Sequence, residues 1–97
     1  MRFEWDEKKN EINIRKHGVD FADASEMFTA PMLVKPDRRK HYGETRYIGL
    51  GQIQGRIMVM VYTERKGDVC RIISLRKANR REQKTFEKTV KDKLGAP

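Results

Sequence analysis

The sequence contains one cysteine, Cys70, so it excludes an internal disulfide bond. It lacks an apolar run long enough to cross a bilayer, and it lacks a signal-peptide pattern at its N-terminus. With two histidines and no acidic cluster, it offers too few ligands for a dedicated zinc or two-metal site. No Ser/His/Asp or Cys/His triad follows from the spacing. These features predict a cytoplasmic protein that needs no metal or other cofactor and has no membrane partner.

Positive charge is what the sequence has in excess. Its 97 residues suffice for one small domain, predicted to span residues 1–97, and 37% of them are charged. Residues 1–34 carry a net charge of −2 and residues 35–97 a net charge of +10, which gives the chain +8. This basic part predicts a polyanionic partner, and nucleic acid is the common one. A role of the charge in solubility alone is the alternative.

Capping residues and apolar spacing predict two helices in the first third of the chain. Asp6 is a good N-cap for the first helix, which runs to about His17. Its apolar face is thin and uses Trp5 and Ile12, with Ile14 as a further candidate. Asp20 caps the second helix, which ends at a proline.

A meander of about four strands and a closing helix are predicted to follow. Asn79 and Glu82 form a capping box at the start of that helix, and Phe86, Val90 and Leu94 form its narrow apolar stripe. The complete pattern predicts an α+β fold with two N-terminal helices, a mainly antiparallel sheet and a C-terminal helix. The strands are predicted at residues 32–34, 45–53, 56–64 and 69–76.

Tight turns between these strands fix an approximate register. The turn at Gln54-Gly55 places Arg56 opposite Ile53, and the next turn brings Arg76 back near Arg56. The closing helix begins at the same end of the sheet, where its free N–H groups favour anions. We therefore predict a phosphate-binding site at this end. Its catalytic cations are Arg56, Arg76 and Arg80, and its further RNA contacts are Lys77 and Arg81.

RNA carries its own nucleophile, because the 2′-hydroxyl can attack the adjacent phosphate. The protein must then hold the backbone in line, neutralise the developing charge and move protons. Arginines stay protonated, so Glu64, His41 and Tyr42 are the candidates for proton transfer. Two alternatives stay open: Glu64 forms a salt bridge, and His41 is a solvated loop residue. Lys40, Tyr42 and Arg65 complete the predicted RNA contacts.

Two groups of residues are specific enough to compare with known families. They are Trp5-Asp6 with Lys16-His17-Gly18-Val19 near the N-terminus, and Ile73-Ser74-Leu75-Arg76-Lys77-Ala78 near the C-terminus. Further groups in the same order are Phe3-Glu4, Asn13, Phe21, Ala24, Tyr47-Ile48-Gly49, Arg71-Ile72 and Arg81-Glu82. Together they resemble the BrnT toxin family of bacterial type II toxin–antitoxin systems.

This resemblance implies a RelE-like fold and a toxin that cleaves RNA and halts translation. It also implies a BrnA-like antitoxin that binds the toxin tightly. The toxin would contact DNA only through this antitoxin. In RelE-like nucleases, cations at the start of the third strand and after the last strand hold the scissile phosphate. By this resemblance, Arg56 occupies the first position here, and Arg76 or Arg80 occupies the second. Phe86 stands where the family commonly has a tyrosine. Proton transfer would then be carried out by Glu64 or His41. Alternatively, catalysis would rely on charge stabilisation alone.

The leading hypothesis is thus a metal-independent endoribonuclease toxin. The second is a basic module that binds nucleic acid and cuts nothing. A third hypothesis makes the basic face a docking site for an acidic protein partner, and it is compatible with the first.

Overall fold

The computed structural model of the protein describes residues 1–93. All of its strands belong to one sheet, in the order β1-β5-β4-β3-β2, so the α+β prediction is confirmed. The expected number of strands was wrong, because a short first strand pairs in parallel with β5 and makes the sheet mixed. Three residues are too few to show a period of two along the sequence. The strands are β1 (Arg2–Glu4), β2 (Leu33–Pro36), β3 (Tyr47–Ile53), β4 (Arg56–Arg65) and β5 (Val69–Lys77).

Two α-helices and one 3-10 helix accompany the sheet: α1 (Glu7–His17), the 3-10 helix (Phe21–Thr29) and α2 (Arg80–Lys93). Both predicted N-terminal caps are confirmed, since the Asp6 carboxylate accepts from the backbone N–H of Lys8 and Lys9, and the Asp20 carboxylate accepts from that of Ala22. No helix within residues 1–93 has the length and apolar character that crossing a membrane requires.

The strand register agrees with the prediction at one turn and differs at the other. Gln54 and Gly55 both have positive φ, as a two-residue hairpin turn requires, and Arg56 lies opposite Ile53 as predicted. Across the next turn, however, Arg76 lies opposite Val59 and not near Arg56. Two features cause the shift. The turn is one residue tighter than expected, and an irregularity between Val61 and Tyr62 leaves one residue of β5 unpaired.

The core lies on one face of the sheet, beneath the 3-10 helix. Phe21 and Met27 of that helix join Met60 and Leu75 of the sheet, and all four are almost inaccessible to solvent. The helix approaches β3 closely, because a Cβ added at Gly51 would lie 3.2 Å from Met27 Cε. A small residue at this position therefore sets the distance between helix and sheet.

The helix α1 contacts the sheet through amides, and of its predicted apolar face only Trp5 packs against the core. Ile12 is 59% exposed and Ile14 39% exposed, whereas Asn10 and Asn13 are buried. The Asn13 side chain donates to the Leu75 carbonyl at 2.7 Å and accepts from the Leu75 N–H at 3.3 Å. Asn13 thus forms hydrogen bonds with the backbone of Leu75 in β5. Leu75 lies beyond the end of β1, so no strand pairs with it on that side.

The helix α2 begins with the predicted capping box. The Asn79 side chain accepts from the Glu82 N–H at 2.8 Å, and the Glu82 carboxylate accepts from the Asn79 N–H at 2.8 Å. Phe86 is buried and Val90 half-buried, and the predicted third member of the stripe, Leu94, lies outside the described residues. The helix contacts β3.

Candidate functional site

The sheet face opposite the core carries two rows of paired residues. Because side chains alternate between the faces of a strand, the residues paired within a row lie on the same face. Beside α2, all residues of these rows except Leu33 line an open cavity of about 380 Å³, which we call the sheet cavity. One row is Leu33, Leu50, Val59 and Arg76, and the next is Lys35, Ile48, Val61 and Ser74.

Arg76 lies at the junction of β5 with α2, and Glu82 holds its guanidinium. Nη1 donates to Glu82 Oε1 at 2.8 Å, and Nη2 donates to Oε2 at 2.9 Å. Nη1 also donates to the Lys77 carbonyl at 3.2 Å. An arginine has five N–H donors, so the Nε–H and the second Nη2–H remain, and they have no partner among the described residues. These two donors lie on one edge of the guanidinium and form a fork that fits two oxygens of a phosphate.

A second arginine, Arg39, lines the same cavity and is held in the same manner. Its Nε and Nη2 donate to the two carboxylate oxygens of Asp37, each at 2.8 Å. The Asp37 side chain is inaccessible to solvent, whereas that of Arg39 is 66% exposed. The bonds from Arg39 hold the pKa of the Asp37 carboxyl well below its usual range. The buried carboxylate thus orients a cation that faces solvent.

The charges around the sheet cavity influence one another. The hydrogen bonds from Arg76 lower the pKa of Glu82, and the nearby charge of Lys35 lowers it further. The bonds to Glu82 raise the pKa of Arg76, and the charge of Arg39 acts in the opposite direction. Arg81 completes the cationic rim. An apolar floor with several cations at its rim suits a ligand that has a phosphate and a less polar body.

The predicted cluster of cations is divided between the two faces of the sheet. Arg56 pairs with Ile53 and therefore lies on the core face, where it lines a small cavity with Asp23 and Lys77. Arg76 lies on the opposite face, so the expectation that Arg56 and Arg76 share one pocket was wrong. Arg80 is exposed at the first residue of α2.

The predicted proton-transfer residues lie away from the sheet cavity. Glu64 is exposed and lines a small cavity with Tyr62 and Cys70. Within residues 1–93 it has no ion pair, so the salt-bridge alternative was wrong. Arg65 lies 3.7 Å from a carboxylate oxygen of Glu44. The roles predicted for Glu64 and Arg65 stay predictions.

His41, Tyr42 and Lys40 line a separate opening in the loop between β2 and β3. We call this opening, formed by residues 36–38 and 40–47, the loop cleft. His41 is exposed, and Tyr42 is half-buried with its hydroxyl donating to Asp37 Oδ2 at 3.1 Å. These residues therefore adjoin the sheet cavity through Asp37, although they do not line it.

Sequence reasoning missed Lys35, Asp37, Arg39 and the contact of Glu82 with Arg76. One signal was present for Asp37, since a proline-aspartate pair before polar residues favours an Asx turn, and the Arg39 N–H does donate to Asp37 at 3.2 Å. The contact of Arg76 with Glu82 joins a strand to a helix and has no local signal in the sequence. Among the described residues, no three His, Cys, Asp or Glu side chains are placed to hold a metal ion.

A mixed sheet with the 3-10 helix on one face and a cationic cavity bordered by α2 on the other defines a small basic α+β protein. The model of a family described as "Ribonuclease toxin, BrnT, of type II toxin-antitoxin system" matches residues 5–82. Among solved structures, the chain is similar to the Brucella abortus ribonuclease toxin BrnT, with a TM-score of 0.68 and 32% sequence identity. This similarity covers 82% of the chain and 99% of the Brucella chain. No curated protein matches the chain.

The chain therefore belongs to the BrnT family of ribonuclease toxins from type II toxin–antitoxin systems. The resemblance stated from its sequence is confirmed. Membership implies an RNA substrate and an antitoxin partner.

Proposed function

We propose that the chain is an endoribonuclease toxin that cleaves RNA by attack of the 2′-hydroxyl on the adjoining phosphate. The reaction needs no metal, and it inhibits translation. The observation that carries this proposal is the fork on Arg76, whose two remaining donors have no partner among the described residues while Glu82 already fixes the guanidinium. Such preorganised donors stabilise charge that develops on a phosphate in the transition state.

Each cation of the sheet cavity has a task in the proposed reaction. Arg76 binds two non-bridging oxygens of the scissile phosphate, and Arg39 neutralises the charge that grows on them. Lys35 and Arg81 attract the neighbouring backbone phosphates. The apolar floor, which includes Val59, contacts the sugar.

Glu82 is a carboxylate of the sheet cavity, and we propose that it accepts the 2′-hydroxyl proton. The bond from phosphorus to the 5′-oxygen then breaks, and the leaving oxygen takes a proton from solvent water. The hydrogen bonds from Arg76 lower the pKa of Glu82, so the carboxylate is ionised at neutral pH but is a weaker base than an unpaired glutamate. Glu82→Gln retains the capping box, because glutamine also serves at that position, but it removes the base. We expect cleavage to slow by about 100-fold or more, the usual contribution of a general base, with a small fall in melting temperature because the charged pair with Arg76 is also lost. Cleavage by this variant at the wild-type rate would contradict the assignment.

The proposed chemistry is tested with the purified chain and a short RNA, in the presence of a chelator. A matched RNA has a single 2′-deoxy sugar at the mapped cut site. We expect cleavage of the first RNA, with a 2′,3′-cyclic phosphate end, and no cleavage of the second. Cleavage of the deoxy substrate would refute the proposed attack, and cleavage of neither RNA, with and without purified ribosomes, would refute the nuclease proposal. Intact RNA that is nevertheless bound, with steep loss of binding in salt, would favour a non-catalytic binding module.

We further propose that the fold is RelE-like, and that the partner is a BrnA-like antitoxin that binds tightly and carries the DNA-binding function. The cationic rim of the sheet cavity supports an acidic partner that covers it. Co-purification of the chain with the product of an adjacent gene, followed by loss of RNA cleavage in the complex, tests this assignment. Cleavage that is unaffected in a stable complex would place the antitoxin elsewhere.

A further inference from the structure

The loop cleft has the size and charge of a second ligand site. Its volume is about 740 Å³, and sites for small ligands typically have about 300–1,000 Å³. Arg38, Lys40 and Arg46 contribute cations to its walls. The carboxylate of Glu44 already accepts from Arg46 Nε at 3.1 Å. The cleft thus favours an anionic ligand of about the size of a nucleotide.

The buried carboxylate of Asp37 joins the loop cleft to the sheet cavity. Oδ2 accepts from Arg39 Nη2 at 2.8 Å and from the Tyr42 hydroxyl at 3.1 Å. Arg39 lines the sheet cavity, and Tyr42 lines the loop cleft. The backbone is fixed at the same point, since the Asp37 N–H donates to the Arg46 carbonyl at 2.7 Å. The Asp37 side chain therefore holds Arg39 of the sheet cavity and Tyr42 of the loop cleft. The two sites are neighbours, and this shared carboxylate fixes their spacing.

The ring of Tyr42 is held in a defined orientation by its neighbours. The Arg46 Cζ lies 4.1 Å from the ring centroid, and the Lys40 Nζ lies 5.3 Å from it. Aromatic rings and guanidinium planes are the surfaces on which proteins stack unpaired RNA bases. Both cations lie over the Tyr42 ring, so a base that enters the loop cleft meets a prearranged stack of ring and guanidinium.

We propose that the loop cleft binds the nucleotide next to the cleaved phosphate, and that Tyr42 and Arg46 set the base preference of the toxin. This inference rests on the proposed cleavage in the sheet cavity. The ligand is one base of single-stranded RNA with its flanking phosphate. The cations of the cleft hold that phosphate, and the Tyr42 and Arg46 surface stacks on the base.

The test compares Tyr42→Leu, Tyr42→Phe and Arg46→Gln with a control, Arg15→Gln, which removes one exposed charge from α1. Binding is measured by fluorescence anisotropy with 2′-O-methyl oligonucleotides, which lack the nucleophile and differ in one base at a time. Cleavage of the matching RNAs gives kcat and KM. We expect Tyr42→Leu to weaken binding of the preferred base about tenfold, the order of one lost stacking contact. Tyr42→Phe keeps the ring and retains the preference.

The outcomes separate this inference from the proposed function. If the wild-type chain cleaves RNA and the Tyr42→Leu and Arg46→Gln variants match Arg15→Gln in KM and base preference, the loop cleft is not the subsite. If Tyr42→Leu lowers kcat alone, Tyr42 acts only through Asp37, and the subsite is again refuted. If the wild-type chain binds the oligonucleotides with a preference that depends on Tyr42 but cuts no RNA, the subsite stands and the cleavage proposal fails.

Discussion

Arg76 and Glu82 are joined by two parallel hydrogen bonds, of 2.8 Å and 2.9 Å, between the end of β5 and the first turn of α2. The same carboxylate closes the capping box of the helix through the Asn79 N–H. The start of α2 and the direction of Arg76 are therefore fixed by one side chain. This arrangement leaves one edge of the guanidinium without a partner among the described residues, and Arg76 lines the sheet cavity.

Arg76 and Arg56 are predicted to respond differently to truncation, because they lie on opposite faces of the sheet. Arg76→Ala removes the proposed phosphate fork, and we expect the cleavage rate to fall by about 100-fold or more, as for loss of one oxyanion-stabilising donor. Arg56→Ala removes the same charge and should retain most of the activity and growth inhibition. Single-turnover cleavage by the two variants checks this. If both variants lost activity to the same extent, the result would place the active site at the strand ends, as the sequence predicted.

The stability of the protein should decrease in acid because of Asp37 and Glu82. Both carboxyls have a lowered pKa in the folded chain, from ordinary values of 3.8 and 4.5. Their contribution to the free energy of unfolding is complete above those values and is lost as the pH falls below them, since the unfolded chain then binds more protons. Urea unfolding between pH 7 and pH 3 measures the effect.

The matched variant for this experiment is Asp37→Asn, which cannot pair with Arg39 as a charge. It should be less stable than the wild type at pH 7, and the difference should shrink toward pH 3. A constant difference across that range would show that the Asp37 charge is not what stabilises the loop.

Asn13 should matter more for stability than its apolar neighbour Ile12. Asn13→Ala leaves the buried N–H and carbonyl of Leu75 without partners, which costs roughly 1–3 kcal/mol for such groups. Ile12→Ala alters a side chain that is 59% exposed, and exposed changes usually stay within about 0.5 kcal/mol. Chemical denaturation of both variants decides the comparison. A larger loss for Ile12→Ala would indicate a hydrophobic contact of α1 that the fold does not show.

Cys70 should be unreactive while the protein is folded. Burial raises the pKa of its thiol to about 12, and the charge of Glu64 acts in the same direction. The thiolate that reacts with alkylating reagents is therefore scarce at pH 8, and access to the sulfur is blocked. Labelling with iodoacetamide should follow the urea unfolding curve. Rapid labelling without denaturant would mean that β5 opens locally in the native state.

The sequence by itself determined the features that local chemistry controls. Asp6 and Asp20 cap helices because a short carboxylate reaches the first free N–H groups of its own helix. Asn79 and Glu82 close a capping box for the same reason. The hairpin at Gln54-Gly55 follows from Gly55, which tolerates the positive φ that the turn requires. Each of these interactions joins residues only a few positions apart, so the pattern is visible in the chain.

Only the tertiary structure decided which cations share a surface. Side chains in a strand alternate between faces, so Arg56 and Arg76 are separated by the sheet once their register is known. That register depends on the tightness of a turn and on one irregularity at Val61 and Tyr62, neither of which has a sequence signature here. The pairing of Arg76 with Glu82 likewise required β5 and α2 to be in place. Contacts between elements depend on packing, and packing is what a linear pattern of residues does not contain.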